Sequence, residues 1–164
     1  MAAVSLFFHL IATAVWIGGL LLMVLLVIPE TRRAMQQSPG LYDLLTRLRK
    51  RMAPLFNLSL AVLIVTGLFQ MSLDPNYDGL MQFDNEWSRV ILFKHIALVG
   101  LVISGGLLQF SVIPSMERAA LLIERGKGDP RAIERLRRRE TVLSWISAGL
   151  GVLILGFSAW AGSL

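Results

Sequence analysis

The chain has 164 residues, 55% of them hydrophobic, and a mean hydropathy of +0.64, which excludes an ordinary soluble core and indicates one polytopic membrane domain. Its net charge of +5 does not indicate nucleic acid, because 14 of the 16 basic residues lie in two loops beside apolar runs, where they set topology and meet lipid headgroups. The absence of cysteine excludes disulfides, thiolate metal sites and iron–sulfur clusters.

Four apolar runs, at about 4–28, 54–71, 90–113 and 141–161, are each long enough to cross a bilayer. The first is too long for a signal-peptide core and leads into Pro29-Glu30-Thr31-Arg32-Arg33, so a retained helix is expected. The following loop carries Arg32, Arg33, Arg47, Arg49, Lys50 and Arg51 against Glu30 and Asp43. Within it Ser38-Pro39 is a helix start, and Leu41, Leu44, Leu45, Leu48 and Met52 recur at helical spacing. After the second run the balance reverses: Asp74, Asp78, Asp84 and Glu86 face Arg89 alone. The loop after the third run is basic again, with eight Lys/Arg against five acids, and its helical stretches break at Gly126-Lys127-Gly128-Asp129-Pro130. The positive-inside rule then puts both termini and the acidic loop outside and the two basic loops in the cytoplasm. Trp87 and Trp160 are expected at the outer interface and Trp145 at the inner one, while Trp16 lies too deep for a belt and is expected to pack between helices.

The two halves echo each other. Val27-Ile28-Pro29 returns as Val112-Ile113-Pro114, and Arg47-Leu48-Arg49-Lys50-Arg51 as Arg135-Leu136-Arg137-Arg138-Arg139. The expected fold is therefore all-α, a four-helix membrane bundle of two helical hairpins related by a pseudo-two-fold axis along the membrane normal. It should form a single domain over 1–164. The only histidines, His9 and His95, precede the two prolines by about 30 and 28 Å of helix, which sets both at one depth in the outer leaflet.

Two imidazoles on facing helices suit the axial ligation of haem b in a four-helix bundle, which gives the first functional reading: a redox or electron-transfer protein with His9 and His95 as ligands. Two interfacial histidines without a ligand are the plainer alternative. Lys94 is the one charge inside a span. It either snorkels outward or, with Arg89, neutralises a haem propionate. Adding the repeat interval to His9 gives Lys94 instead of His95, so lysine stays open as the second ligand. Copper is the rival to haem. Two histidines with Met71 suit Cu(I), although Met71 and Met81 are the only methionines near that face. No Ser/His/Asp set, paired intramembrane carboxylates or phosphate loop is present, and Thr13, Asn57, Ser59, Thr66, Gln70 and Gln109 read as interhelical hydrogen bonders.

His9, Trp16 and Gly18-Gly19-Leu20 together resemble the first helix of CopD-type copper-resistance membrane proteins and of the related HemJ-type protoporphyrinogen oxidases. Trp87-Ser88-Arg89-Val90-Ile91-Leu92-Phe93-Lys94 is similar to the stretch that opens the corresponding CopD helix, and Arg138-Arg139-Glu140 to the start of the final one. The resemblance implies a bacterial inner-membrane protein. It also implies, from the HemJ side, roles for His9 and Lys94 in haem binding and porphyrinogen oxidation. The stretch that follows the first helix in HemJ is missing, and His95 is an addition to the shared pattern. Expected cofactor contacts are thus His9, His95, Lys94, Arg89 and Trp16, with His9 and His95 on the metal. Expected partners are membrane lipid, a quinol or periplasmic redox protein, and a second copy of the chain.

Overall fold

The computed structural model describes residues 2–35, 40–75, 77 and 85–164, and the side chains of all of these except residues 32, 34, 35, 40–43 and 130. Every regular element among them is helical. The first rod comprises α1 (Ala2–Thr13), α2 (Gly19–Leu22) and α3 (Ile28–Met35), joined by π-helical turns at Ala14–Gly18 and Met23–Val27. Next come α4 (Gly40–Ser72) and α5 (Glu86–Leu107), the latter continuing through a π turn at Leu108–Val112 into α6 (Ile113–Glu124), and finally α7 (Pro130–Ala161). Four stretches are long and apolar enough to cross a membrane: Ala2–Thr31, Leu44–Ser72, Glu86–Glu124 and Arg131–Ala161. The all-α, four-span expectation holds, and the chain is a multi-pass membrane protein. α4 and α7 run on through their basic pentads without a break. The expected helix start at Ser38-Pro39, and Met81, Asp78 and Asp84 of the acidic loop, lie outside the described residues.

The chain forms two compact units, Met1–Arg89 and Val90–Leu164. In the first, the rod packs antiparallel on α4. Two contacts fix the register: His9 meets Thr66, and a Cβ on Gly19 would lie 2.7 Å from Cε1 of Phe56. From His9 to Gly19 is ten residues forward, and from Thr66 to Phe56 ten back, so the pairing is in step. The same register sets Ser5 opposite Gln70, Ala12 opposite Leu63, Trp16 opposite Ser59 and Met23 opposite Met52. On both sides the positions follow a four-three spacing, the seam of paired helices. All twelve are buried or half-buried, whereas Leu6, Phe7, Phe8, Leu55, Leu58 and Val65 are exposed. The seam thus sets small or polar side chains among Trp16, Met23, Met52, Phe56 and Leu63, while many large apolar side chains point outward, as expected of helices associating in lipid through close packing and hydrogen bonds.

The second unit has its own seam. Phe93 stacks on Phe157 with ring centroids 6.3 Å apart, a Cβ on Gly100 would touch Leu150 at 3.3 Å, and the hydroxyls of Ser104 and Ser147 lie 2.8 Å apart. On α5 the inward strip is Val90, Lys94, Ala97, Leu101 and Ser104, all buried except the half-buried Lys94. Trp87 extends that strip by one turn. It is 6% exposed, so the expectation of an interfacial anchor is corrected: its place on the inward strip overrides its place near a helix end. Trp145 and Trp160 are exposed, as belt residues should be.

Both prolines distort the backbone alike. Pro29 and Pro114 offer no N–H to the carbonyl four residues earlier, and the preceding turn widens to π geometry at Met23–Val27 and at Leu108–Val112. Ile28 N–H then donates to the Met23 carbonyl, and Ile113 N–H to that of Leu108. In the first rod the Thr31 hydroxyl also donates to the Val27 carbonyl at 2.5 Å. The repeat therefore extends from the letters to the hydrogen bonds. At the end of α6, Gly126 takes φ +69°, with Gly126 N–H donating to Ile123 and Lys127 N–H to Leu122, which closes the helix in a Schellman turn. A Cβ on Gly128 would lie 2.6 Å from the Ile123 backbone nitrogen, and the Asp129 carboxylate then caps α7 by accepting from Arg131 N–H at 2.9 Å.

Candidate functional site in the first hairpin

His9 sits on the seam, half-buried, with its Nδ1 at 2.7 Å from the Thr66 hydroxyl oxygen. The Val62 carbonyl lies 2.6 Å from that same hydroxyl, a separation that two acceptors do not share without a proton between them. The Thr66 hydroxyl therefore donates to Val62, and the ring N–H donates to Thr66. A neutral His9 then carries its proton on Nδ1 and its lone pair on Nε2, the tautomer of a metal-ligating histidine whose other nitrogen is held by a second group. The Thr13 hydroxyl donates to the His9 carbonyl at 2.8 Å, tying the backbone of the same turn.

Gly67 faces the next ring atom. A Cβ there would make an ordinary contact with Cε1 of His9 at 3.6 Å, so Gly67 lies against the ring edge that leads to Nε2. Met71 follows Gly67 by one turn on the same face of α4 and is half-buried. One turn from the His9–Thr66 pair, Ser5 Oγ and Gln70 Nε2 are buried with no hydrogen-bond partner. At the opposite end of the seam Met23 is buried, and Cε of Met52 comes within 3.6 Å of the Cβ position on Gly19.

The other expected site residues are placed differently. His95 is exposed on α5, and its Nδ1–H donates to the Ile91 carbonyl of its own helix at 2.8 Å, which leaves the lone pair on Nε2 there too. Lys94, not His95, occupies the seam position of its helix, and it is Lys94 that stands one repeat interval from His9, as Ala97 stands from Ala12. Arg89 is exposed. Trp16 packs half-buried within the hairpin at the level of Ser59. Of the expected interhelical hydrogen bonders Thr66 does bond across the helices, whereas Gln70 lies in the seam with its Nε2 unpartnered, Thr13 bonds within its own helix and Asn57 is exposed; Ser5 and Gly67 were not singled out by sequence. The signal that would have found them is the four-three spacing read on both strands of an antiparallel pair.

Among the described residues no three His, Asp or Glu side chains come together as a metal site. A centre for a hard, high-coordination cation is thus not formed by them, whereas imidazole with thioether suits soft Cu(I).

The chain is therefore an all-α, multi-pass membrane protein with a histidine oriented inside its first hairpin. Residues 46–161 match the CopD family, copper resistance protein D, and the chain belongs to that family. The match takes in the last three spans and begins after the first, so His9 lies outside it. No curated protein and no solved structure matches the chain.

Proposed function

We propose that this protein handles copper in the membrane, binding Cu(I) as cargo through Nε2 of His9, with Met71 as a thioether donor. The observation that carries the reading is the hydrogen bond from His9 to Thr66, which sets the ligating tautomer inside a seam otherwise built for packing. Family membership supplies the metal, and the donor chemistry agrees with it. His95, with its lone pair also on Nε2 in the neutral ring, is a further candidate ligand, and Lys94 and Arg89 are further candidate cofactor contacts. The haem b reading, with axial His9 and His95, has no support from the family match, which favours the copper alternative.

By the charge asymmetry of the loops, we place both termini and the acidic loop on the periplasmic side of a bacterial inner membrane, which would bring His9 near the outer face. The test is a competitive Cu(I) titration of the purified full-length protein together with its visible spectrum. Wild type is expected to bind Cu(I) and to show no Soret band, and His9→Ala to lose most of that binding. A Soret band that disappears in both His9→Ala and His95→Ala would overturn the copper reading and restore the haem one.

A further inference from the structure

The geometry points to an anion subsite beside His9, formed by the Ser5 hydroxyl and the Gln70 amide and taking a small monovalent anion of the halide or carboxylate class. The negative charge of its ligand and its role next to the cation rest on the copper reading above; its existence as an acceptor site does not.

Both atoms are buried without a hydrogen-bond partner, and the register of the hairpin sets the two residues opposite each other. A buried donor left unsatisfied costs about 1–3 kcal/mol. Two such atoms at one level, one turn from the only histidine of the first unit, are accounted for together by one ligand between them. The chemistry of that ligand follows from the donors. Gln70 Nε2 can only donate and the Ser5 hydroxyl can donate, so the partner is an acceptor and not the cation itself.

Charge balance gives the sign. None of the twelve seam side chains is acidic, so a monovalent cation on His9 would meet no countercharge from the seam itself. Burying an unpaired ion is expensive, and an anion held one turn away offsets that cost.

The experiment compares wild type with the Ser5→Ala/Gln70→Leu variant of the full-length protein, at ionic strength held constant with perchlorate while chloride or acetate replaces it. The variant removes two unsatisfied polar atoms, so in perchlorate it should unfold no earlier than wild type. Without metal, chloride or acetate is expected to raise the unfolding temperature of wild type and not of the variant. With Cu(I), the ratio of variant to wild-type Kd should grow about tenfold as the anion is added. A response to chloride alone identifies a halide site, and one to acetate alone a carboxylate site. Equal shifts in both proteins, with and without metal, would overturn the inference. If His9→Ala binds Cu(I) as well as wild type does, the copper reading fails, and the metal-free measurement still decides the anion subsite.

Discussion

Thr66 is where one side chain decides the chemistry of another. Its hydroxyl proton goes to Val62, so its oxygen can only accept from His9, and the imidazole has one tautomer available in the seam. Thr66→Val keeps the shape and removes the acceptor, leaving a buried ring N–H and no preference between the nitrogens. Cu(I) affinity should fall by about 10- to 100-fold, the usual cost of deleting the group that orients a ligating histidine. Thr66→Ser should recover most of the loss, and competitive titration of the three proteins gives both numbers. Equal affinity in the valine variant would show that His9 is oriented by packing alone. Ser5 could not have been recognised by composition, since serine in an apolar run is usually a packing residue. What singles it out is that its oxygen ends up buried and unanswered.

At the scale of the elements, hydropathy made the four spans legible because each is apolar over some twenty residues, and the two Val-Ile-Pro runs made the duplication legible. The seams were not legible. In these helices many leucines, valines and phenylalanines face outward and others inward, so hydrophobicity does not mark the buried side, and only the contacts of His9 and Gly19 reveal which strip faces α4. Trp87 was misplaced for the same reason: its distance from the helix end suggested an interface, but its phase along α5 turns it inward. The equivalence of His9 with Lys94 was visible in the arithmetic of the repeat, and Ala12 and Ala97, both buried, uphold it. Because the chain has no cysteine, the first seam can be tested with engineered pairs alone. Ala12→Cys with Leu63→Cys should cross-link readily on mild oxidation, being opposite in register, while Ile11→Cys with Leu63→Cys should not. Preferential cross-linking of the second pair, read by gel mobility after proteolysis between α3 and α4, would mean a register one residue away.

For the whole molecule, the decisive quantity is the distribution of charge along the chain. Of the basic residues, 14 stand in the first and third loops and one, Arg89, in the acidic second loop. Cysteines introduced at Asn76 and Lys127 should therefore react oppositely with a membrane-impermeant maleimide in intact cells: Asn76→Cys labelled, Lys127→Cys protected until the membrane is opened. The reverse pattern would put His9 at the cytoplasmic leaflet, and copper delivered from outside would have to cross most of the bilayer to reach it. The family match spans the second, third and fourth helices, whereas the oriented histidine is on the first. What is shared with the family is thus mainly the frame, and the donor proposed to meet the metal is supplied by a helix beyond the matched stretch.

The widened turn at Leu108–Val112 sets the phase of the third span. It takes up one residue more than α geometry would, and one residue of an α-helix is about 100° of rotation and 1.5 Å of advance. If that turn closed to α geometry with α6 held still, α5 would screw round by that one step. The residue leaving the seam would be Lys94, and the residue arriving would be His95. Two neighbouring side chains are therefore the two readings of a single vernier, a lysine at one setting and a histidine at the next.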